Sequence, residues 1–215
     1  MIEAVLFDLD GTLMDTNYLH VEAWAQAFLA VGRTVPRATI HRQIGKGAPQ
    51  LLAALLEDPT LHERARRLHG ELYAAGIDRA YLLPGAAEML HVVAAQGIQP
   101  WLCTSAQPEE LARLLPRLRG ADALAGVITS HDVATAKPAV DVFAVALERA
   151  GVAPAAALAV GDTVWDVEAA SRTGVRCAAV LTGGAYSEAE LRAAGAVAVY
   201  ADCAAALAAG FPHGL

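Results

Sequence analysis

The stretch AVLFDLDGT, residues 4–12, is the most informative segment of this chain of 215 residues. Four apolar residues lead into two aspartates, a glycine and a threonine, which is typical of a buried strand that opens into a polar loop. Asp8 and Asp10 are two positions apart, so in an extended chain both carboxylates lie on the same side. Gly11 permits a tight turn, and we expect its backbone N–H to be presented to a ligand. Two carboxylates at the end of a buried strand are costly unless a cation binds them or they share a proton; an aspartate-rich turn in which Asp10 caps a helix is the alternative.

Similar apolar runs recur along the chain and alternate with helix-length segments rich in alanine and leucine. Strands are predicted at residues 4–7, 98–103, 124–129, 156–160, 177–181 and 197–200. Helices are predicted at residues 84–95, 109–118, 139–150 and 164–173, with a surface helix at 201–209. Strand and helix in alternation predict an α/β fold, a doubly wound, Rossmann-like parallel sheet with helices on both faces. Ligand chemistry in such a fold belongs at the carboxyl ends of the strands.

Residues 16–81 break the alternation and are called the helical insertion below. Apolar residues recur there at helical spacing, and further helices are predicted at residues 36–44, 49–56 and 61–75. We therefore predict a helical cap domain at residues 16–81, inserted after the first strand of a catalytic core formed by residues 1–15 and 82–215. Hinges are expected near residues 15–17 and 81–84.

The composition excludes several classes of function. With 16 basic and 23 acidic residues the net charge is −7, which argues against a nucleic-acid partner. No apolar run reaches the roughly 18 residues of a membrane span, and residues 1–4 do not resemble a signal peptide, so a cytoplasmic protein without a membrane partner is expected. A monomer or a homodimer is expected. The three cysteines have no metal-ligand or redox spacing and are predicted to be buried thiols.

Hydroxyl and ammonium groups follow two further predicted strands. Thr104 and Ser105 come directly after the run 98–103, where their hydroxyls can bind an anion or, alternatively, cap a helix. Lys137 directly precedes Pro138 at the start of a predicted helix. A positive charge opposes the helix dipole at that position, so we expect Lys137 to have an anionic partner.

The last polar strand end is GDTVWD, residues 161–166. Asp162 and Asp166 lie one helical turn apart, and helix capping readily explains one of them but not both. In a parallel sheet the four polar strand ends meet at one edge and bring together four carboxylates, two hydroxyls and one ammonium. This set suits phosphoryl transfer assisted by Mg²⁺, which prefers hard oxygen ligands and screens an anionic nucleophile from a phosphate.

The order and spacing of these motifs resemble the haloacid dehalogenase-like (HAD) phosphohydrolase superfamily. The motifs in chain order are Asp-x-Asp-Gly-Thr at residues 8–12, Thr104 after an apolar strand, Lys137-Pro138, and Gly161-Asp162 with Asp166. The insertion after the first motif resembles cap subclass I, and the chain is most similar to phosphoglycolate phosphatase and β-phosphoglucomutase relatives. The resemblance implies a Mg²⁺-dependent phosphatase that hydrolyses a small organic phosphate monoester, a phosphorylated metabolite, through an aspartyl phosphate.

The resemblance also implies roles for the catalytic residues. Asp8 would be the nucleophile, and Asp10 the acid that protonates the leaving oxygen and then the base that activates water. Thr104 and Lys137 would bind the phosphoryl oxygens, together with Ser105 and the backbone of Gly11.

The implied metal site uses aspartates from two motifs. Mg²⁺ would lie between the Asp8 carboxylate, the backbone carbonyl of Asp10 and Asp162. Asp166 would act from outside the metal ligands, orienting Lys137 or a water on the metal.

The helical insertion would contact the leaving group and so determine which substrates bind. His20, Arg42 and Lys46 could face the active site and contact a substrate carboxylate or hydroxyls; for Lys46 a solvated turn is the alternative. The remaining histidines show no ligand spacing and are expected on the surface or on helix faces: His41, His62, His69, His91, His131 and His213.

Two alternative functions stay open. A β-phosphoglucomutase-like mutase shares all four motifs and often the His20-x-x-x-Trp24 arrangement, although Thr12 follows the phosphatase pattern. A non-catalytic phosphate-binding protein on the same fold is the second alternative. The dehalogenases and the phosphonate-cleaving members lack the second aspartate, so Asp10 argues against a C–halogen substrate and against a Schiff base on Lys46.

Overall fold

The computed structural model describes residues 1–132 and 141–215. The strands are β1 (Ala4–Phe7), β2 (Met14–Asp15), β3 (Tyr81–Leu82), β4 (Gln99–Cys103), β5 (Gly126–Ile128), β6 (Ala157–Gly161), β7 (Arg176–Val180) and β8 (Ala198–Tyr200). The helices are α1 (Asn17–Ala30), α2 (Arg37–His41), α3 (Ala48–Leu55), α4 (His62–Gly76), α5 (Ala86–Ala95), α6 (Pro108–Leu114), α7 (Asp141–Ala150), α8 (Val164–Thr173), α9 (Glu188–Ala194) and α10 (Cys203–Ala208). Within these ranges no helix has the length and apolar character needed to cross a bilayer.

Six strands form a parallel sheet in the order β5-β4-β1-β6-β7-β8. Strand β1 lies between β4 and β6, and its four residues are completely buried. Val5 and Phe7 pack into one apolar layer of helices, while Ala4 and Leu6 pack into the layer on the opposite face. The predicted doubly wound, Rossmann-like α/β fold is therefore confirmed.

The predicted strands and helices of the core all occur, with ends shifted by a few residues. Helix α6 stops at Leu114 and continues only as a 3₁₀ turn at Leu115–Arg117, because Pro116 has no N–H for the helical ladder. Helix α9, which the sequence reasoning missed, is short and begins at a capping box formed by Ser187 and Glu190. The predicted start of α7, at residues 139–140, lies outside the described residues.

Helices α1 to α4 lie between β2 and β3 and have an apolar core of their own, which includes Trp24, Phe28 and Leu51. The strands β2 and β3 pair antiparallel at the two ends of this segment, with Met14 opposite Leu82. Helix α2 ends at His41, three residues before the predicted end at residue 44. The chain continues as a turn to Gly45, whose φ of +95° is left-handed. The predicted hinges coincide with the paired strands, and hinge motion stays a prediction.

The three cysteines are buried free thiols, as predicted. One of them, Cys203, lies on α10, where it and Ala206 are buried against the core. The predicted surface helix at 201–209 is therefore half-buried. Burial raises the pKa of the Cys203 thiol to about 12, so this thiol is inert at neutral pH.

Candidate active site

Three neighbouring strands bring polar residues to one edge of the sheet. Asp8 follows β1, Thr104 follows β4 and Asp162 follows β6. The N–H of Asp8 donates to the carbonyl of Val160 at 2.9 Å, so the strands stay paired up to the point where the polar residues begin. Since these strands are adjacent and parallel, the residues after them lie side by side, as the sequence predicts.

A buried cluster of three carboxylates lies at this edge. Oxygen atoms of Asp8, Asp162 and Asp166 are all within 4.8 Å of one another. Burial raises the pKa of Asp162 well above its ordinary value, and the negative charges of Asp166 and Asp8 raise it further. Hard carboxylate oxygens at this spacing fit a divalent cation such as Mg²⁺, whose charge offsets the repulsion within the cluster.

Two side chains that the sequence reasoning did not assign hold both oxygens of Asp162. The hydroxyl of Thr12 donates to Oδ1 at 3.2 Å, and the amide of Asn17 donates to Oδ2 at 3.0 Å. Asn17 is the first residue of α1, so the helical insertion itself contacts the cluster. Gly183 packs so closely that a Cβ atom there would overlap the Asp162 carboxylate.

The prediction that Gly11 presents its N–H to a phosphate is wrong. The chain turns back at this point, and the N–H of Gly11 donates to the carbonyl of Met14 at 2.8 Å. The carbonyl of Gly11 accepts from the hydroxyl of Thr182 at 2.5 Å. Glycine is required for a different reason: φ is +78°, and a Cβ would collide with Asn17 and Asp162.

Asp10 lies outside the three-carboxylate cluster, and a hydroxyl and a histidine contact it. The hydroxyl of Thr16 donates to Asp10 Oδ1 at 2.5 Å, and His20 Nε2 lies 3.5 Å from the same oxygen. Burial by itself lowers the pKa of His20, but the hydrogen bond and the negative charge of Asp10 outweigh burial, so that this pKa is raised. The two motif aspartates therefore have different surroundings.

The sequence places His69 on the surface or on a helix face, and it lies on a face of α4 that is buried behind His20. Its Nε2 lies 3.1 Å from His20 Nδ1, and its ring stacks on Trp24 with centroids 3.9 Å apart. Burial, together with the charge of His20, lowers the pKa of His69 well below its ordinary value. A neutral His69 can accept the Nδ1–H of His20, which leaves the Nε2–H of His20 directed at Asp10.

The residues after β4 form a turn beside the cluster. Thr104 is fully buried, and its hydroxyl oxygen accepts from the N–H of Ala106 at 3.0 Å. Ser105 is more accessible and lines the adjoining cavity. Lys137, the remaining predicted phosphate ligand, lies outside the described residues together with Pro138.

A cavity of about 480 Å³ separates the helical insertion from the core. Asp8, Asp10 and Ser105 line it from the core. His20 and Lys46 line it from the insertion, as predicted. Both motif aspartates are therefore accessible from a cavity that can hold a molecule of metabolite size.

Comparison with known proteins identifies the family. Residues 2–174 match the family model of the haloacid dehalogenase-like hydrolases. The chain belongs to this family. The predicted resemblance and the predicted hydrolase activity are thereby confirmed.

Individual members of the HAD-like hydrolase family match most of the chain. A phosphorylated carbohydrates phosphatase of Thermotoga maritima is 30% identical over 179 residues, which cover 81% of this chain and 82% of that protein. A phosphoglycolate phosphatase of Rhodospirillum rubrum is 32% identical over 218 residues, covering 95% and 89%. A crystal structure of a hydrolase from Pseudomonas syringae superposes with a TM-score of 0.91 at 30% identity, covering 97% of each chain.

In this HAD-like hydrolase Arg42 does not line the cavity, contrary to the prediction. It follows the end of α2 and extends toward the core, where its guanidinium lies 4.5 Å from the ring centroid of Tyr186 and pairs with Glu190 at 2.7 Å. The backbone carbonyl of Arg42 accepts from Trp165 Nε1 at 3.2 Å and from the hydroxyl of Tyr186 at 2.6 Å. Arg42 thus fastens the insertion to the core.

Lys46 occupies the cavity wall but already has two partners. Its Nζ donates to Gln43 Oε1 at 2.6 Å and lies 3.8 Å from the ring centroid of Trp165. Burial lowers the pKa of Lys46. Lys46 therefore lies where the sequence predicts, and contact with a substrate stays a prediction.

Asp166 both caps a helix and belongs to the carboxylate cluster. Its Oδ2 accepts from the N–H and the hydroxyl of Thr163, at 3.1 Å and 2.5 Å, and so caps α8. A carboxylate oxygen of Asp166 also lies within 4.8 Å of oxygens of Asp8 and Asp162, so Asp166 belongs to the carboxylate cluster. Helix capping fixes the carboxylate beside the cluster.

Proposed function

We propose that this hydrolase is a Mg²⁺-dependent phosphatase that acts on a small organic phosphate monoester through an aspartyl phosphate on Asp8. The proposal rests above all on the buried cluster of Asp8, Asp162 and Asp166, whose oxygens lie within 4.8 Å of one another and whose member Asp8 lines a metabolite-sized cavity. Two relatives, a phosphatase of phosphorylated carbohydrates and a phosphoglycolate phosphatase, support this reaction. They also indicate small phosphorylated metabolites as the substrate class.

The metal would be held by the Asp8 carboxylate, the backbone carbonyl of Asp10 and Asp162. Mg²⁺ supplies charge that offsets the repulsion between Asp8 and the phosphoryl oxygens. Thr12 and Asn17 fix both oxygens of Asp162 by hydrogen bonds, so this ligand is oriented before any metal binds.

Asp8 then acts as the nucleophile and Asp10 as the acid and base. A carboxylate oxygen of Asp8 forms a bond to phosphorus while the bond from phosphorus to the leaving oxygen breaks, and Asp10 gives its proton to that oxygen. Asp10 next takes a proton from water, whose oxygen attacks the phosphorus of the aspartyl phosphate. The bond between phosphorus and the Asp8 oxygen breaks, phosphate leaves, and Asp8 is again a carboxylate while Asp10 again carries a proton.

The phosphoryl oxygens would be bound by Thr104, Ser105 and Lys137. The buried position of Thr104 beside the cluster and the place of Ser105 on the cavity wall support the first two assignments. The assignment of Lys137 rests on its position in the sequence motif.

The helical insertion would act as a cap over the site. It contributes His20, Lys46 and Gln50 to the cavity wall, opposite the motif aspartates of the core. Closure of such a cap excludes water from the aspartyl phosphate until the leaving group has departed. The core and cap boundaries at residues 15 and 82, the cytoplasmic location and the monomeric or dimeric state stay predictions.

A phosphate-release assay tests the proposal. The purified protein is incubated with a broad set of monoesters in Mg²⁺ or in EDTA, and free phosphate is measured. We expect Mg²⁺-dependent release from at least one small monoester and none in EDTA. Absence of Mg²⁺-dependent release from every compound would favour the non-catalytic alternative.

The same assay separates the mutase alternative. β-Glucose 1-phosphate is included, with an enzymatic assay for glucose 6-phosphate. The hydrogen bond from Thr12 to Asp162 supports the phosphatase, since it gives the threonine of the phosphatase-like motif a place in the metal site. Conversion of β-glucose 1-phosphate without phosphate release would instead assign the chain to the mutases.

A further inference from the structure

A carboxyl group outside the four motifs lines the same cavity. Glu110 is on α6 and reaches the cavity wall. Its Oε2 accepts from the backbone N–H of Gln107 at 3.0 Å, whereas no described residue donates to Oε1. Glu110 is therefore oriented by the helix start and keeps one oxygen as an acceptor for a ligand.

The charges around Glu110 come from the catalytic residues. Burial raises the pKa of Glu110, and the negative charge of Asp10 adds to the effect, while His20 and the amide of Gln107 oppose it. Glu110 and Asp10 line the same cavity, in which a leaving group would be protonated. A leaving group bound there meets Asp10 and Glu110 together.

The basic side chains that line the cavity within the described ranges already have partners, and His20 among them contacts Asp10 and His69. Arg66 forms a bidentate ion pair with Glu63, in which two guanidinium nitrogens donate to the two carboxylate oxygens at 2.8 Å and 3.0 Å. Lys46 is bound by Gln43 and lies over the Trp165 ring. A carboxylate on the leaving group would therefore have to displace an existing contact to find a counter-charge.

Neutral groups suited to hydroxyls complete the wall. Ser105, Gln107, Ser130 and Gln50 all border the cavity. Hydroxyls can donate to the Glu110 carboxyl and exchange hydrogen bonds with these neutral side chains. The volume of about 480 Å³ leaves ample room for a leaving group larger than glycolate.

We propose that Glu110 is a specificity-determining residue that selects monoesters with a hydroxyl-bearing leaving group, such as sugar or polyol phosphates, over monoesters whose leaving group carries a carboxylate. This inference rests on the proposed phosphatase function and narrows its substrate class. A carboxylate on the leaving group places a negative charge beside the carboxyl group of Glu110, whereas a hydroxyl donates a hydrogen bond to Glu110.

Matched substrate pairs test the role of Glu110. 2-Hydroxyethyl phosphate is compared with 2-phosphoglycolate, and glycerol 3-phosphate with 3-phosphoglycerate, since each pair differs only in a CH₂OH or a carboxylate. The kcat/KM of each is measured in Mg²⁺ for the wild type, Glu110→Gln and the control Glu109→Gln. Glu109 is the exposed neighbour on α6 and does not line the cavity.

We expect the wild type to prefer the hydroxyl member of each pair by about tenfold or more. Glu110→Gln keeps an oxygen for the Gln107 amide and should reduce that ratio by about tenfold, mainly through faster turnover of the carboxylates. Glu109→Gln should leave the ratio unchanged.

A wild-type preference for the carboxylate members, or an equal rate for both, overturns the inference, and this result does not depend on any variant folding. An unchanged ratio in folded Glu110→Gln overturns it as well. In both cases the proposed function survives, because Mg²⁺-dependent hydrolysis has been observed. Absence of hydrolysis for every monoester, ribose 5-phosphate included, refutes the proposed function and the inference together.

Discussion

Asp8 and Asp10 are two residues apart in sequence, yet their side chains have different electrostatic surroundings. Asp8 belongs to a buried cluster with Asp162 and Asp166, where a cation favours the ionised form. Asp10 is bound by the hydroxyl of Thr16 and lies beside His20. Different surroundings allow one carboxylate to stay ionised as a nucleophile while the other gains and loses a proton.

Asp10→Asn tests this division of roles. The amide keeps an oxygen for the Thr16 hydroxyl but cannot transfer a proton, so kcat should fall by about 10²- to 10⁴-fold. Steady-state kinetics on the best monoester measure the effect. Asp122→Asn is the matched control, since Asp122 is exposed and does not line the cavity. A loss of less than about tenfold in Asp10→Asn would remove Asp10 from acid–base catalysis.

The sequence predicts the individual motif residues but not their hydrogen-bond partners. Asp8, Thr104 and Asp162 could be placed because each follows an apolar run that ends at the same sheet edge. Thr12 and Asn17 carry no such signal, because their bonds to Asp162 join residues 150 and 145 positions apart. The Gly11 N–H was assigned wrongly because its acceptor, the Met14 carbonyl, depends on the path of the turn.

The turn after α2 is one of the elements that connect the helical insertion to the core, in addition to the β2–β3 pair and the hydrogen bond from Asn17 to Asp162. Arg42 and Lys46 on this turn contact Tyr186, Glu190 and Trp165 of the core. These contacts hold the insertion against the cavity mouth. Their loss should weaken closure without touching the catalytic aspartates.

Arg42→Ala should therefore lower kcat/KM by about three- to tenfold, with a higher KM and a lower kcat together, as is typical of residues that control closure. Arg37→Ala is the matched control, because Arg37 is also an exposed arginine of the insertion but pairs with Glu22 within it. Steady-state kinetics and thermal unfolding of both variants provide the comparison. Equal effects in the two variants would show that the Arg42 contacts with the core have no part in closure.

The positions of helices and strands were predictable where a periodic apolar pattern determines them. Strand β1 and helix α8 match the predicted bounds, since both are continuous patterns with clear ends. The β2–β3 pair has two residues on each side and no pattern of its own, so only its pairing in the fold defines it. Helix α9 has only seven residues, and its capping box at Ser187 and Glu190 is the signal that could have predicted it.

For the whole molecule, the buried carboxylates couple stability to pH and to metal. The folded state raises the pKa of Asp162 above its unfolded value, so the unfolded chain loses this proton first as the pH rises. Between the two pKa values the folded state binds more protons, and stability contributed by this group falls with rising pH. A bound cation should reverse the effect, because it favours the ionised cluster.

We expect Mg²⁺ to raise Tm more at about pH 8 than at about pH 5, where protons compete for the carboxylates. At a roughly hundredfold excess over Kd the shift at the higher pH should be about 5 to 10 °C. Asp162→Asn should unfold at a higher Tm than the metal-free wild type at the higher pH and respond little to Mg²⁺. Equal Mg²⁺ shifts in wild type and Asp162→Asn would place the cation elsewhere.

Trapping of the phosphorylated enzyme tests whether Asp8 is the nucleophile. The wild type, mixed with Mg²⁺ and its best monoester, is quenched in acid during turnover, digested and examined by mass spectrometry. We expect the peptide that contains Asp8 to carry a phosphoryl group, which is lost on incubation with base. In Asp8→Asn the same peptide should carry no phosphoryl group. A wild-type peptide without the phosphoryl group throughout turnover, or an Asp8→Asn variant with full turnover, would contradict the assignment of Asp8 as the nucleophile.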